Sequence, residues 1–506
     1  MLWLFNVLLC VIASVLLVSA DGTGASEPQQ YALTMIDLNE ENRRLVPISG
    51  YVTYGGNLVG ESGARFGYSV AIDETGTTIV VRERRPDIVR VYEIADDGWT
   101  QKGQDLTGFT LILSVVKRKT VTISSDGSIV AVSSTDPSNE GVALFEYDTS
   151  TQMWLQRGST IRGEDLNGSP IFSFGHDISL SADGNKIAVG APEYDSPTLR
   201  DIGFATTYFW NGIDWQRQRY TDDTFSVVSG LYGELLRAYL GWSTSFSGDG
   251  NWFAVGMPES GSAISDATRF GECRVYRSNA GIQQIAIDGG AMFGSSVNDQ
   301  FGYSVALNYD GSIIAVSSPG YDGDVNEENL GRVQVFERSA ETWRQLGSDL
   351  IGEQQDDGFG FSIDLSNDGK TLVAGSAYSD GSGNLRGYIH IYKFDGIDWV
   401  LKEISRAQGF DIDGIGENDS FGWSVAISGD GTKVLVGAPF YNGPDIQNGL
   451  VQMWGQTDFP TFSPILNPLP QVGNLGTGGS PAQASLVSRT YTWWQGAIAY
   501  LEGFFV

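Results

Sequence analysis

Apolar residues along this chain fall into short runs in which Val, Ile and aromatic residues alternate with polar ones, and Gly, Asp and Pro punctuate the ends. That period-two pattern with turn residues at its borders predicts strands and hairpins rather than helices. One arrangement recurs. A strand opens with Phe-Gly-x-Ser, as in "FGYSVAI" at 66, "LGWSTSF" at 240 and "FGWSVAI" at 421. An Asp-Gly turn leads to a second strand that ends near Gly-Ala-Pro, as in "IAVGAP" at 187 and "VLVGAP" at 434. A polar loop follows, then an alternating third strand ("GRVQVFE" at 331, "GYIHIYK" at 387) and a fourth that begins at a Trp ("WRQLGSDLIG" at 343).

Anchored on the hairpin glycine, the copies stand at Gly76, Gly127, Gly184, Gly250, Gly311, Gly369 and Gly431, so adjacent copies lie 51 to 66 residues apart. A fixed period of this kind marks a repeat architecture. Four antiparallel strands repeated seven times predict an all-β, seven-bladed β-propeller spanning residues 48–456. Copy two has lost its Phe-Gly, although "SSDGSIVAV" survives, and "FGSS" at 293 sits inside a linker. Copy seven stops after its third strand, "LVQMWGQ" at 450–456. The segment ahead of copy one, "ISGYVTYGGNLVGESGARFG", matches the end of a repeat, so an N-terminal strand is expected to complete the last blade and remove its open edge.

The flanks read differently. "MLWLFNVLLCVIASVLLVSA" (1–20), nearly all apolar and ending in Val18-Ser19-Ala20, reads as a secretory signal peptide, with an uncleaved signal anchor as the alternative. Residues 21–47 form a leader. Residues 457–506 are a Pro- and Gly-rich linker with an apolar tail, too short and too polar for a confident membrane span because Glu502 interrupts it. Any membrane contact is therefore expected only through the signal anchor or this tail. Cys10 belongs to the signal segment, which leaves Cys273 alone in a strand pattern and excludes an intrachain disulfide.

Composition sharpens the picture. There are 65 glycines, well above the usual share of about 7%, which suits many tight turns. A net charge of −30 argues against nucleic acid and anionic membrane surfaces and favours cations or basic partners.

Phe-Gly followed by Gly-Ala-Pro resembles the FG-GAP repeats of integrin α-chain propellers, and the resemblance covers about 400 residues and recurs in six of the seven copies. It implies a propeller whose last blade borrows its outer strand from the N-terminus, and work in cell-surface adhesion; some sugar-binding lectins use similar repeats. Several integrin blades bind calcium through an acidic loop between the two motifs. Here the matching turns, such as "SADG" 181–184 and "SGDG" 428–431, keep only one Asp and a Ser or Asn. Calcium takes six to eight oxygens, so these read as hairpin turns. Two other loops space their acids better: Asp322, Asp324, Asn326 and Glu328, and Asp411, Asp413, Glu417 and Asp419. They are the candidate calcium ligands; no cofactor is required by the sequence.

Two histidines, His176 and His390, both in strand patterns, offer no zinc cluster or triad. No phosphate-binding glycine loop is present. Aromatics recur at the Phe-Gly-x position (Tyr68, Trp242, Tyr303, Phe361, Trp423), suiting channel packing or sugar stacking. Asn167 and Asn418 head N-glycosylation sequons. The expectation is a secreted or cell-surface, non-enzymatic protein that binds a protein or glycan ligand through loops on one face. The alternatives are a lectin-like carbohydrate binder and an extracellular polysaccharide hydrolase or lyase.

Overall fold

The seven repeats fold into seven antiparallel sheets arranged as the blades of a propeller. The computed structural model describes residues 34–36, 45–47 and 51–456, apart from 96–97, 112–118, 137–139, 165–167, 222–226, 229, 262–268, 279–281, 285–289, 324–327, 340–341, 379–385, 405–417 and 444–445. Among the described residues there is no helix. Thr34–Ile36 pairs with Leu45–Pro47 as a separate two-stranded ladder. A second unit, Phe459–Val506, lies outside the described residues.

Blade 1 shows the common plan from axis to rim: Ser69–Ile72, Thr78–Arg84, Asp87–Ala95 and Gly98–Gln101. The inner strands of blades 2 to 7 are Val121–Ile123, Asp177–Leu180, Ser243–Phe246, Val305–Leu307, Ser362–Leu365 and Ser424–Ile427. The second strand of every blade is buried almost throughout, because it packs on neighbouring blades through both faces; its continuous apolar sequence follows from that. In blade 7 the rim strand is Tyr51–Val59, antiparallel to Leu450–Gln456 with an irregularity between Tyr54 and Leu58. The first and last strands of the ring thus share one sheet.

The two motifs that define the repeat turn out to be one contact. The Gly of Phe-Gly has φ near +85° (Gly67, Gly241, Gly302, Gly422), a region where only glycine is unstrained. Its carbonyl lies against the Gly of Gly-Ala-Pro in the preceding blade: Gly241 on Gly190, Gly302 on Gly256, Gly422 on Gly375, and Gly67 on Gly437 across the ring closure. A Cβ on the second member of any of these pairs would collide with that carbonyl oxygen. The Ser of Phe-Gly-x-Ser ties the same seam. Ser243, Ser362 and Ser424 donate to the carbonyls of Gly302, Gly422 and Gly67 at 2.7, 2.8 and 2.9 Å. At the rim, Trp154, Trp215 and Trp399 donate their indole N–H to carbonyls of the preceding blade (Lys102, Arg157, Leu346) at 2.7 to 2.9 Å.

Blade 4 departs from the expected plan, since no Trp opens a fourth strand there. Its sheet ends in the short Met292–Phe293, paired with Glu272–Cys273. Ile282–Gln284 pairs instead in parallel with Arg219–Thr221, which continues the rim of blade 3. Without the indole, backbone pairing joins these two rims. Phe293-Gly294 therefore closes a blade and opens none.

Substitution at the seam tests this reading. Gly437→Ala is expected to cost about 2–4 kcal/mol, because close-packed backbone cannot give way. Gly63→Ala, at φ +76° with open space around it, is expected to cost only about 1 kcal/mol of backbone strain. Chemical denaturation of both variants checks the order; equal losses would contradict it.

Candidate functional site

The two faces of the ring are built differently. On one, each hairpin turn presents the residue two before its glycine to the axis, and these residues link through backbone hydrogen bonds into a closed circle. The N–H of Glu74 donates to Ser125 O, Ser125 to Ala182, Ala182 to Gly248, Tyr309 to Asn367, Asn367 to Gly429, and Gly429 back to Glu74, at 2.9 to 3.0 Å. Between blades 4 and 5 Asp249 makes the link to Tyr309 O at 2.8 Å. Within each turn the Asp is occupied by its own neighbours. Asp183 accepts from the Ser181 hydroxyl at 2.6 Å and the Asn185 N–H at 2.9 Å. Asp430 accepts in the same way from Ser428 and Thr432. Two donors converge on one carboxylate oxygen in each case, the geometry of a turn-stabilising acceptor.

The opposite face carries the start of each inner strand and the loops between second and third strands. The Phe-Gly-x side chains form a collar around the axis there. Ring centroids run Tyr68–Trp423 5.6 Å, Trp423–Phe361 4.9 Å, Phe361–Tyr303 5.6 Å, Tyr303–Trp242 5.6 Å and Trp242–His176 4.9 Å. Tyr68, His176 and Phe361 are buried, so these rings pack on one another and leave little face for a sugar. The seventh collar position, in blade 2, is Lys119, which sequence reading passed over. Aligning copy two on Gly127 would have found it, since Lys119 stands eight residues before that glycine as Tyr68 does before Gly76.

Below the collar the axis is hollow and polar, with two cavities of about 60 and 120 Å³ that share Lys119, Ser245 and Asp364. Asp177, which replaces the seam Ser in blade 3, accepts the Lys119 N–H at 2.8 Å and both the Thr244 N–H and hydroxyl at 2.7 and 2.9 Å. Burial pushes its carboxyl up to about 6, and those donors with the nearby Lys119 charge only partly oppose this. Both histidines pack on aromatic rings, His176 on Trp242 and His390 at 4.6 Å from Tyr388. Cys273 is a buried free thiol, and burial pushes its pKa up.

The candidate calcium residues fare unevenly. Asp324, Asn326, Asp411, Asp413 and Glu417 lie outside the described residues, as does Asn167. Asp322 is exposed and accepts the Asn329 N–H at 2.9 Å, and Glu328 is exposed beside it in sequence. Asp419 is fully buried and faces the Asn442 N–H at 3.4 Å. It belongs to a recurring position two residues before Phe-Gly: Asp357 there accepts the N–H groups of Glu353 and Gln354 and the Tyr388 hydroxyl. The role of that position is to tie the inter-blade loop. Among the described residues no three His, Cys, Asp or Glu gather as metal ligands. Asn418 is exposed, with φ +65°.

The FG-GAP repeat family model matches residues 413–452, a span that includes the first two strands of blade 7 and the start of its third. Among solved structures, the β-propeller domain of Myceliophteria thermophila Cps50 (Swd1) aligns over 81% of this chain and 100% of its own length, at 9% identity and a TM-score of 0.48. No curated protein matches. The seven-bladed fold and the family match within blade 7 support an FG-GAP propeller.

The turn aspartates make the fold acid-sensitive in a predictable direction. Burial raises the pKa values of Asp126, Asp183, Asp310 and Asp430, but hydrogen bonds from their turns outweigh it and hold them below the ordinary carboxylate value. A folded pKa below the unfolded one gives stability that is present above about pH 4 and lost as pH falls through the folded value. Replacing all four by Asn keeps one acceptor in each turn. Melting curves between pH 2 and 5 should show a shallower acid decline for that variant than for the parent; parallel declines would refute the assignment.

Proposed function

We propose that this protein is a secreted or cell-surface binding protein that recognises a partner protein through the loops of the collar face, without catalysis. The observation that carries the reading is the contrast between the faces. The turn face is uniform, tight and closed by backbone hydrogen bonds. The collar face carries connections of differing length, including 192–203 in blade 3, 319–331 in blade 5 and 439–449 in blade 7. Loops held on a rigid scaffold are where recognition is usually placed. Ile446 in one of these loops and Phe172, Leu236 and Val297 in the segments leading into the inner strands expose large apolar side chains, with exposed acids such as Asp195, Glu234 and Asp322 on the same face. Apolar anchors ringed by polar groups suit a protein partner, and the acids favour a basic one. The burial of the collar rings favours this reading over sugar stacking.

Binding of the labelled full chain to cells tests it. Leu236→Asp and Ile446→Asp are expected to lower capture at least about tenfold, the size of a typical anchor loss. Ile397→Asp, at a more exposed position on the turn face, is expected to leave capture unchanged. Loss on the turn face with retention on the collar face would overturn the proposal, and so would release of product from a polysaccharide panel.

A further inference from the structure

At one seam both motifs are lost together, and the replacement is basic. In blade 1 the Gly-Ala-Pro triplet is replaced by Arg82-Glu83-Arg84, and in blade 2, the next blade, Phe-Gly is replaced by Lys117-Arg118; the latter two lie outside the described residues. Because these motifs are the two halves of one inter-blade contact, losing both together is a single change. Arg82 fills the vacated space, fully buried, and donates to Ser133 O of blade 2 at 2.7 Å. The loop that follows shrinks to Arg85 and Pro86, since Arg84 already pairs with Asp87. Blades 3 to 7 join the same two strands through 11 to 14 residues and blade 2 through six, so the two-residue hairpin of blade 1 leaves a notch.

Three guanidinium groups stand at that notch. The N–H groups of Arg84 and Arg85 both donate to Ala64 O, at 2.9 and 3.0 Å, which sets the hairpin against the loop bearing Arg65. Arg65 lies 5.1 Å over the Phe440 ring and shares Gln447 Oε1 between two of its nitrogens at 3.1 Å each. Arg84 lies 4.8 Å over Tyr68 and donates to its hydroxyl at 3.0 Å. Arg85 is exposed. Repulsion from Arg85 and Arg84, after burial, draws the Arg65 pKa down, so the three charges feel one another. The acids nearby are engaged elsewhere: Asp87 with Arg82 at 3.5 Å, Glu83 with Arg90 at 3.1 Å, and Asp105 with Arg90 at 3.0 Å. Glu61 sits close enough to act on Glu83. Among the described residues no ion pair reaches Arg65 or Arg85. Aromatic faces and an amide hold cations together here, on a chain of net charge −30.

We infer that this notch, between the blade 1 hairpin and the blade 7 loop, binds a short acidic polypeptide segment whose carboxylates take the guanidinium groups of Arg65 and Arg85, with Arg84 adding its charge beside them. Arg presents paired N–H donors that match a carboxylate, and the rings beneath hold the forks in place. A short ligand is favoured over a long polyanion for an electrostatic reason. Screening limits the attraction of the notch to about 8 Å at physiological salt, and beyond it an extended polysaccharide would run across an acidic surface. The inference goes beyond the adhesion reading and does not depend on it.

Fluorescence anisotropy of labelled hexaglutamate with the full chain tests the site. The parent is expected to bind at about 50 mM salt and to release the peptide at about 500 mM. Arg65→Gln with Arg85→Gln should weaken binding at least about tenfold, while Lys370→Gln on the turn face should not. Thermal melts confirm folding; should the double variant unfold, Arg85→Gln alone, at an exposed position, must still weaken binding. Three results would overturn the inference: no binding by the parent at low salt, equal affinity in the variants, or dextran sulfate bound more tightly than the peptide and lost in the same variants.

Discussion

Everything in this molecule hangs on a backbone-to-backbone approach that only glycine permits. At four seams the carbonyl of one blade's Phe-Gly glycine rests on the Gly-Ala-Pro glycine of the blade before it. The seam Ser adds a hydrogen bond to that same carbonyl at three of them. Each seam buries polar backbone, so its partners have to be present, and they are. At these four seams the approach of the two glycines sets how closely adjacent blades meet, while Ser133, Ser317 and Arg82 take the glycine's place at the other three. The hydrophobic clusters between blades fill the space that this contact defines; Phe174, Phe301, Phe359 and Phe421 are all fully or almost fully buried there.

The same constraint divides the two faces. Because the seams fix the inner strands, the Asp-Gly turns arrive close enough for their backbones to link in a circle, and their side chains are spent on their own turns. That face has no freedom left to vary. The loops on the collar side leave from strand ends already fixed by the seam, so they can change in length and chemistry without disturbing it. Blade 1 is instructive because there the seam itself changed. Arg82 stands in for the glycine contact, and the loop above it contracted to two residues.

Much of the architecture was legible in the sequence, for reasons that differ by feature. The repeat, its strand order and the N-terminal rim strand follow from periodicity, since alternating side chains and Asp-Gly turns leave marks at every copy. That Phe-Gly and Gly-Ala-Pro touch was not legible, because the contact joins different copies and spacing within one copy carries no information on it. The backbone circle was invisible for a plainer reason: it uses N–H and C=O groups at Glu74, Ser125, Ala182 and Gly429, residues with nothing in common. Asp419 reads as a ligand because acids at alternate positions surround it in sequence; its burial and its contact with the Asn442 N–H could not be read from that spacing. Lys119 and the Arg82-Glu83-Arg84 triplet were readable only as departures from the repeat, once the register of every copy had been fixed.

The most direct measurement is a double-mutant cycle across the closing seam, using Gly67→Ala and Gly437→Ala with unfolding free energies for both single variants and the pair. If the two glycines form one contact, the pair should cost clearly less than the sum of the singles, by at least about 1 kcal/mol, since the first substitution already opens the seam. Additive costs would mean that the two motifs act independently, and that the glycine contact is not what joins one blade to the next.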